Sequence, residues 1–330
     1  GYAAPKWVWQ STGGSDAFEP KLSLWPLIFG TLKATLYAMV FSIPLALLAA
    51  IYVSQLAPSW IQAIVKPTVE LMAAVPSVVV GFLAALWLAP RLESALLAVM
   101  LAAVVLPLAV VLALTLWRLV PASTRQKLPE GSELLLLLAA GGFIVIAVVS
   151  LADPVEARLF GGDFQRFLFT EWGLRYDQRN AIVVGLALGF AVVPVIFTIA
   201  EDACSAVPRA LVSASRALGA TRWQTAVKMV VPAASPGLFA AVMLGLGRAV
   251  GETMIVLMAA GNTPVLDLSL FNGMRTMSAA IAVEIPEAPV DGTLFRVLFL
   301  TGILLFAFTL VLTTAADLVG SYLRKRYARF

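Results

Sequence analysis

Residues 181–200 read AIVVGLALGFAVVPVIFTIA, and none of these 20 residues carries a charge. The hydrocarbon core of a bilayer is about 30 Å thick and a helix rises about 1.5 Å per residue, so about 20 apolar residues cross it. The stretch therefore predicts a transmembrane helix. Its interior proline, Pro194, is tolerated in such helices and permits a bend.

The same length criterion identifies six further windows along the chain, which gives seven predicted spans. Two windows contain charged residues: Lys33 lies in the first, and Arg248 and Glu252 lie in the sixth. Because the number of spans is odd, the two termini lie on opposite sides of the membrane. The predicted spans run from about Trp25 to Ser54, Leu71 to Pro90, Ser94 to Trp117, Leu134 to Ala152, Ala181 to Ala200, Ser235 to Ala260, and Val297 to Ala316.

The composition agrees with a membrane protein and excludes several classes of enzyme. Of the 330 residues, 13% are charged and 61% are apolar, whereas soluble domains carry about 25% charged residues. The chain has no histidine, which excludes Ser-His-Asp and Cys-His catalysis and the HExxH zinc motif. We expect no metal site and no nucleic-acid partner. The single cysteine, Cys204, cannot form an internal disulfide.

The distribution of Lys and Arg predicts the orientation, because these residues collect in cytoplasmic loops. The loop at 202–230 and the tail after Asp317 are basic, whereas the loop at 261–292 carries four acids and one arginine. Counting the spans then places the loop at 118–133 inside, and the loop at 153–180 and the N-terminus outside. The basic residues concerned are Arg209, Arg216, Arg222, Lys228, Arg324, Lys325, Arg326, Arg329, Arg118, Arg125 and Lys127.

The polar stretches are too short to form a separate soluble domain. We predict an external N-terminal segment at 1–24 and one transmembrane domain at 25–330. The chain begins with Gly1 rather than methionine and shows no signal-peptide pattern, so we expect it to be part of a longer protein.

The most specific motif lies in the basic loop, where residues 213–223 read SASRALGATRW and residues 229–232 read MVVP. The pattern predicts a short amphipathic helix, a turn at Gly219, a second short helix, and a proline, Pro232, that opens the next span. Such a compact knob can dock into a groove of a partner, although an ordinary juxtamembrane helix is the alternative.

This spacing resembles the EAA loop of ABC-importer permeases. In this chain Ser213-Ala214-Ser215 replaces the Glu-Ala-Ala of the family pattern, so any ion pair made by that glutamate is lost. The resemblance implies that the segment at 202–234 is a cytoplasmic coupling loop that contacts an ATPase. The residues implied in coupling are Ser213, Gly219, Ala220, Thr221, Arg222 and Pro232.

Four motifs resemble those of permease subunits of the phosphate-specific importer, nearest to the PstC type. They are PSVVVG at 76–81, LGATRW at 218–223, GRAVGETM at 247–254 and NGMRTMS at 272–278. The resemblance implies an all-α transmembrane bundle of the MetI-like architecture. Residues 94–152 look like a helical hairpin inserted relative to shorter family members.

Arg248 and Glu252 are the most informative charged residues. They are four residues apart, so a continuous helix would place them on one face at a depth inside the bilayer. Ionisable groups there are expensive and usually face a cavity or each other. The planar fork of Arg248 suits an oxyanion, and Glu252 can compete for its donors when substrate is absent. The alternative is a buried ion pair that only fixes helix packing.

Two other residues are weaker candidates for the substrate path. Lys33 lies near the external end of the first span, where snorkelling to the headgroups is the favoured interpretation. Ser77 follows a proline and can donate its hydroxyl either to an oxyanion or to its own helix.

The chain contains no G-x-x-x-x-G-K-[ST] motif, so a partner must bind ATP. The resemblance implies two cytoplasmic ATPase subunits, a sister permease, and a periplasmic binding protein that delivers phosphate. We expect no cofactor in this chain and no enzymatic activity. Arg275, Glu284 and Glu287 form the predicted landing surface for the binding protein.

Together these observations predict a permease of the bacterial inner membrane that works by alternating access, with its C-terminus in the cytoplasm. The nearest alternative is a permease for sulfate, molybdate or another oxyanion. An autonomous secondary transporter or channel is a more distant one, because more intramembrane acids would be expected. A membrane enzyme has little support without histidine or paired intramembrane aspartates.

Overall fold

The computed structural model describes residues 6–12, 19–119 and 132–327. Helices dominate these ranges, which contain only two strands, β1 (Trp9–Gln10) and β2 (Lys21–Leu22), paired antiparallel. The predicted all-α fold is confirmed. The helices are α1 Trp25–Gln55, α2 Ser59–Ala74, α3 Ser77–Ser94, α4 Leu96–Leu119, α5 Ser132–Leu159, α6 Phe164–Trp172, α7 Ala181–Ser205, α8 Arg209–Ala217, α9 Arg222–Gly251, α10 Met254–Ala259, α11 Met277–Glu284 and α12 Thr293–Tyr327.

Seven of these helices are long and apolar enough to cross a membrane, within the ranges that the structure describes. They are α1, α3, α4, α5, α7, α9 and α12, so the predicted number of spans is confirmed. Pro44, Pro107 and Pro194 lie inside α1, α4 and α7 without ending them.

The core forms where α7 packs against α1 on one side and against α9 on the other. Glycines on α7 permit the close approach to α1. A Cβ at Gly189 would lie 2.6 Å from Cδ1 of Phe41, and one at Gly185 would lie 3.2 Å from Cβ of Tyr37. Small residues at helix contacts are the usual way to pack helices in lipid, where apolar burial gives no driving force.

The predicted second span, Leu71 to Pro90, is wrong in its boundaries. Helix α2 ends at Ala74 and α3 begins only at Ser77, since Pro76 lacks an N–H group and forces Val75 into an extended conformation (φ −67°, ψ 125°). The crossing helix is therefore α3, and the apolar end of α2 belongs to a separate helix.

The predicted sixth span, Ser235 to Ala260, is also interrupted. Helix α9 ends at Gly251, Glu252 is extended (ψ 126°), and α10 starts at Met254. The break is stabilised by Ser278, whose Oγ donates to the carbonyl oxygen of Glu252 at 3.0 Å. A hydroxyl of this kind satisfies a backbone group that a broken membrane helix leaves free. Helix α10 packs against α3.

Helices α4 and α5 pack on each other as a hairpin with a small cluster of their own, formed by Ala98, Val148 and Ala152. Few other helices contact them, and most of their length faces outward. The connecting residues 120–131, including Arg125 and Lys127, lie outside the described part of the chain. That the hairpin is an insertion stays a prediction.

The N-terminal segment is anchored to the bundle by Trp9. Its side chain is buried among Leu27, Met277 and Leu298, and its Nε1 donates to Oε1 of Glu284 at 3.0 Å. The strands β1 and β2 thus lie against α11 and the start of α12.

Candidate translocation site and coupling surface

Arg248 lies in the last turn of α9 and is half-buried. Among the described residues it makes no ion pair and no side-chain hydrogen bond. Its position at a helix C-terminus is favourable for a cation, because the last carbonyl groups carry partial negative charge. The guanidinium nevertheless has five N–H donors, and none of them has an acceptor among the described residues. Hydrogen-bond donors of this kind can bind an anion.

Glu252 does not share a helical face with Arg248, because α9 ends between the two residues. That predicted geometry is wrong. The Glu252 carboxylate instead points to the next helix, where its Oε1 accepts from the backbone N–H of Ile255 at 3.5 Å. Glu252 thereby caps α10, and no Arg248–Glu252 ion pair is present in the described structure.

The side of α9 next to Arg248 is open. A Cβ built at Gly247 or Gly251 would have no neighbour within 4 Å, whereas one at Gly245 would lie 2.4 Å from Ile196. Gly245 is therefore needed for packing against α7, and the other two glycines leave free space beside the arginine.

Lys33 is fully buried, with 1% of its surface exposed, so the predicted snorkelling to the headgroups is wrong. Its Nζ lies 3.4 Å from the carbonyl oxygen of Asn272. The close approach of α1 to this loop depends on Gly30, where a Cβ would lie 2.1 Å from the carbonyl oxygen of Arg275. Thr31 on the same turn accepts from the N–H of Met277 at 3.0 Å.

A polar cavity of about 650 Å³ adjoins this contact, with Asn272 in its wall. The wall includes Arg175, Asp177 and Arg179 from the loop before α7, and Thr263 from the loop after α10. Arg175 pairs loosely with Asp177, with Nε 3.4 Å from Oδ1. Both loops belong to the predicted external side.

Tyr176, next to the cavity wall, stays neutral. Burial raises the pKa of its hydroxyl, the hydrogen bond with Asn180 lowers that pKa by less, and the nearby Glu93 carboxylate adds a still smaller increase.

Ser77 is the first residue of α3 and is half-buried. Its hydroxyl makes no hydrogen bond among the described residues, so the bond to its own helix is not formed. One turn later Gly81 packs on the backbone of α10, where a Cβ would lie 2.9 Å from the carbonyl oxygen of Met254. Ser77 and Arg248 thus both lie beside breaks in the bundle, but the structure shows no contact between them.

The loop predicted to couple to an ATPase forms a compact knob. Helix α8 ends at Ala217, Gly219 adopts a left-handed conformation (φ 88°), and Thr221 caps the first turn of α9 together with Gln224. Ser215 joins the two helices through a 3.1 Å contact with Thr225.

The predicted coupling residues take different places in this knob. Gly219 forms its turn, Thr221 and Arg222 are exposed, and Pro232 is exposed within α9. Ala220 is half-buried after the turn. Ser213, where the family pattern has glutamate, is exposed, and its hydroxyl donates to its own helix at Arg209.

Two apolar residues on the knob were not among the predicted coupling residues. Leu218 is 90% exposed and Trp223 is 57% exposed, and no residue of α8 is buried. The signal in the sequence was the leucine directly before the turn glycine, and none of the described residues buries it.

The predicted landing surface is wrong for two of its three residues. Nη2 of Arg275 lies 2.6 Å from Oε1 of Glu284, and the side chains are only 12% and 8% exposed. Trp9 and Ser11 donate to the same oxygen, at 3.0 and 2.9 Å. This cluster holds the N-terminal segment against α11. Only Glu287 is exposed.

The described ranges combine seven helices long enough to cross a membrane, interrupted helices and an exposed helical knob, and this architecture fits a membrane permease. The match to a protein family agrees, because residues 42–329 fit the family described as binding-protein-dependent transport system inner membrane component. The chain belongs to this family of ABC transporter permeases.

Named relatives are similar over most of the chain. The probable ABC transporter permease protein YqgH of Bacillus subtilis is 29% identical over 266 residues, which cover 81% of this chain and 61% of YqgH. The phosphate transport system permease protein PstC of Pasteurella multocida is 28% identical over 303 residues, covering 92% and 76% of the two chains. PstC of Haemophilus influenzae is 28% identical over 282 residues, covering 86% and 70%.

The chain thus spans less than two thirds of the length of YqgH. No solved structure matches it.

Proposed function

We propose that this permease moves inorganic phosphate into the bacterial cytoplasm as one subunit of an ATP-driven importer. The observation that carries the proposal is Arg248, a permanent cation in a span with no described acceptor and with open space beside it. The PstC proteins among its relatives are named for phosphate transport, which supports the choice of anion.

An anion that crosses a bilayer needs donors, yet binding must be weak enough for release. A guanidinium offers paired donors to a tetrahedral oxyanion and keeps its charge at every relevant pH. The open face of α9 at Gly247 and Gly251 gives the anion, or the sister permease, room to approach Arg248. The half-buried hydroxyl of Ser77, which makes no hydrogen bond among the described residues, is a second possible donor to the anion.

The energy comes from a pair of ATPase subunits that contact the knob formed by α8 and the first turn of α9. Closure of that pair on ATP pushes the knob. Because α9 runs from Arg222 to Gly251, with a π-helical turn at Ala226–Val230, the push is transmitted to Arg248 along this helix. The helices bend at the breaks near Pro76 and Glu252 when the bundle changes between outward-facing and inward-facing states.

The remaining partners follow from this arrangement. A sister permease completes the path, and a periplasmic protein delivers phosphate to the external loops, where Glu287 is exposed. The knob and the C-terminus lie in the cytoplasm. The polar cavity bordered by Arg179 and Asn272 lies on the side where phosphate arrives.

ATP hydrolysis by the reconstituted complex tests this proposal. We expect phosphate-loaded binding protein to stimulate hydrolysis, and the same protein without phosphate, or a sulfate-loaded binding protein, to leave it at the basal rate. Stimulation by the sulfate-loaded or molybdate-loaded protein alone would assign the permease to another oxyanion. Transport that persists without any ATPase would instead indicate an autonomous transporter.

A further inference from the structure

Helix α6 has an amphipathic surface that the proposed transport cycle does not use. Its buried face consists of Phe164 and Leu168, four residues apart, which are 7% and 0% exposed. They pack on Leu96 and Leu97, the first residues of α4.

Three span ends surround this helix and therefore define its level in the membrane. The start of α4 lies beneath its buried face. The side chain of Gln165 donates to the carbonyl oxygen of Glu93, in the last turn of α3, at 3.0 Å. The N–H of Phe164 donates to Oε1 of Glu156, near the end of α5, at 2.9 Å. Helix α6 thus lies where three spans leave the membrane, on the predicted external side.

The rest of the helix surface carries two exposed aromatic residues and three exposed polar ones, of which Glu171 borders the buried face. Phe169 and Trp172, three residues apart, are 61% and 63% exposed. Arg166 and Thr170, four residues apart, are exposed as well. At about 100° per residue, the centres of these two pairs are about 110° apart. The helix thus has a protein-facing side, an aromatic side and a polar side.

From this geometry we infer that α6 is an interfacial anchor that lies flat in the outer membrane surface, with Phe169 and Trp172 inserted among phospholipids. Amphipathic helices with aromatic residues bind at the boundary between headgroups and acyl chains, and tryptophan favours that layer. The partner is lipid because hydrogen bonds to the ends of α3 and α5, and packing on the start of α4, hold the exposed Phe169 and Trp172 at the level where these spans leave the membrane.

The anchor fixes the height of the external loop that follows it. The chain leaves α6 through Gly173, which adopts a left-handed conformation (φ 64°), and continues to the residues that border the polar cavity. Gln178 in this loop donates to the carboxylate of Glu93, and the N–H of Asp177 donates to the carbonyl oxygen of Phe271 at 2.9 Å. The inserted lipid anchor and the cavity wall are therefore one connected unit.

Spin-label accessibility in liposomes tests this inference directly. Single cysteines replace Phe169, Trp172, Arg166 or Thr170 in a Cys204→Ser background, in the full chain assembled with its partners. A cysteine at Ile146, which is 67% exposed in the middle of α5, gives the lipid reference. We expect labels at 169 and 172 to collide severalfold more with oxygen than with a water-soluble nickel chelate, and labels at 166 and 170 to show the reverse.

Equal nickel accessibility at all four positions would overturn the inference, because the helix would then stand in water. Protection of 169 and 172 from both reagents would overturn it too, because a protein partner would cover them. The wild-type complex provides a second readout that needs no variant. A photoactivatable phospholipid with its reactive group near the glycerol should modify residues 169–172, and an unmodified α6 would also contradict the anchor.

Discussion

At the scale of single residues, Arg248 is the side chain on which the proposed transport chemistry depends. An arginine in a span is retained only if something offsets the cost of its burial. The described chain offers no carboxylate to it, and the nearby Glu252 is used to cap α10. The described residues thus offer the guanidinium only the partial negative charge at the end of α9, and we propose that a transported anion or a partner chain supplies the remaining compensation.

Replacing Arg248 by Gln should reduce phosphate uptake by about 10- to 100-fold, because a hydrogen bond to a charged group contributes about 1.5–3 kcal/mol. Lys should rescue only part of the loss, since an ammonium lacks the planar fork. The assay is radiolabelled phosphate uptake, with complex assembly measured on the same preparation.

Assembly separates a transport role from a structural one. Arg248→Gln complexes should form in normal yield and should still bind the phosphate-loaded binding protein. Wild-type uptake by an assembled Arg248→Gln complex would show that the arginine does not contact the anion.

Gly30 tests the packing of α1 at the same scale. Gly30→Ala should destabilise the protein by about 1–3 kcal/mol, as overpacking of a core does, because the new methyl group would overlap the carbonyl oxygen of Arg275. Gly142→Ala is the matched control, since nothing lies within 4 Å of a Cβ there. Thermal melting of the purified protein should fall for the first variant and not for the second. Equal melting temperatures would mean that this helix contact is looser than described.

Single residues were the hardest feature to predict from the sequence. Lys33, Arg248 and Glu252 stood out in the sequence, because charged residues are rare in membrane spans and costly to bury there. The partners of Lys33 and Glu252 could not be predicted. Lys33 contacts the backbone carbonyl group of Asn272 and Glu252 contacts the backbone N–H group of Ile255, and backbone groups carry no signature in the sequence. The burial of Arg275 and Glu284 depends on Trp9, more than 260 residues away along the chain.

At the scale of secondary-structure elements, the knob formed by α8 and the first turn of α9 has the features of a protein-binding surface. It exposes Leu218 and Trp223 and buries no residue of α8, so the chain itself gives this surface nothing to pack against. Exposed aromatic and aliphatic anchors of this kind are typical of protein interfaces.

Single cysteines at Ala217 or Thr221, in a Cys204→Ser background, should cross-link to the ATPase in an ATP-dependent way, because these exposed residues flank Gly219. A cysteine at Glu287 is the control and should give no such product. If both knob positions fail to cross-link in complexes that still transport, the coupling role of the loop is refuted.

The sequence predicted the existence of the spans better than their continuity. Windows of about 20 mostly uncharged, apolar residues located the seven candidate crossing helices in the described ranges, since lipid imposes length and apolarity. Hydropathy did not show where a helix breaks, because Pro76 interrupts α2–α3 while Pro44 and Pro194 leave α1 and α7 intact. The break at Glu252 depends on the hydroxyl of Ser278 on another helix.

At the scale of the whole molecule, the charge distribution makes a prediction about topology. Cysteines at Arg222 and Glu287 should react oppositely with an impermeant thiol reagent in intact cells, with only the position at 287 labelled. The reason is that loops rich in Lys and Arg stay on the cytoplasmic side. Labelling at position 222 without cell lysis would invert the topology and remove the basis for the coupling loop.

The central proposal for the whole molecule is that the assembled importer carries phosphate at the expense of ATP. The most direct measurement is uptake of radiolabelled phosphate into proteoliposomes that contain the complete complex and the binding protein, with sulfate and molybdate as competitors. We predict that uptake requires ATP on the knob side of the membrane. Excess unlabelled phosphate should abolish the uptake of the radiolabel, whereas sulfate and molybdate should not. Uptake that proceeds without ATP, or that sulfate or molybdate suppresses as strongly as phosphate does, would contradict the claim.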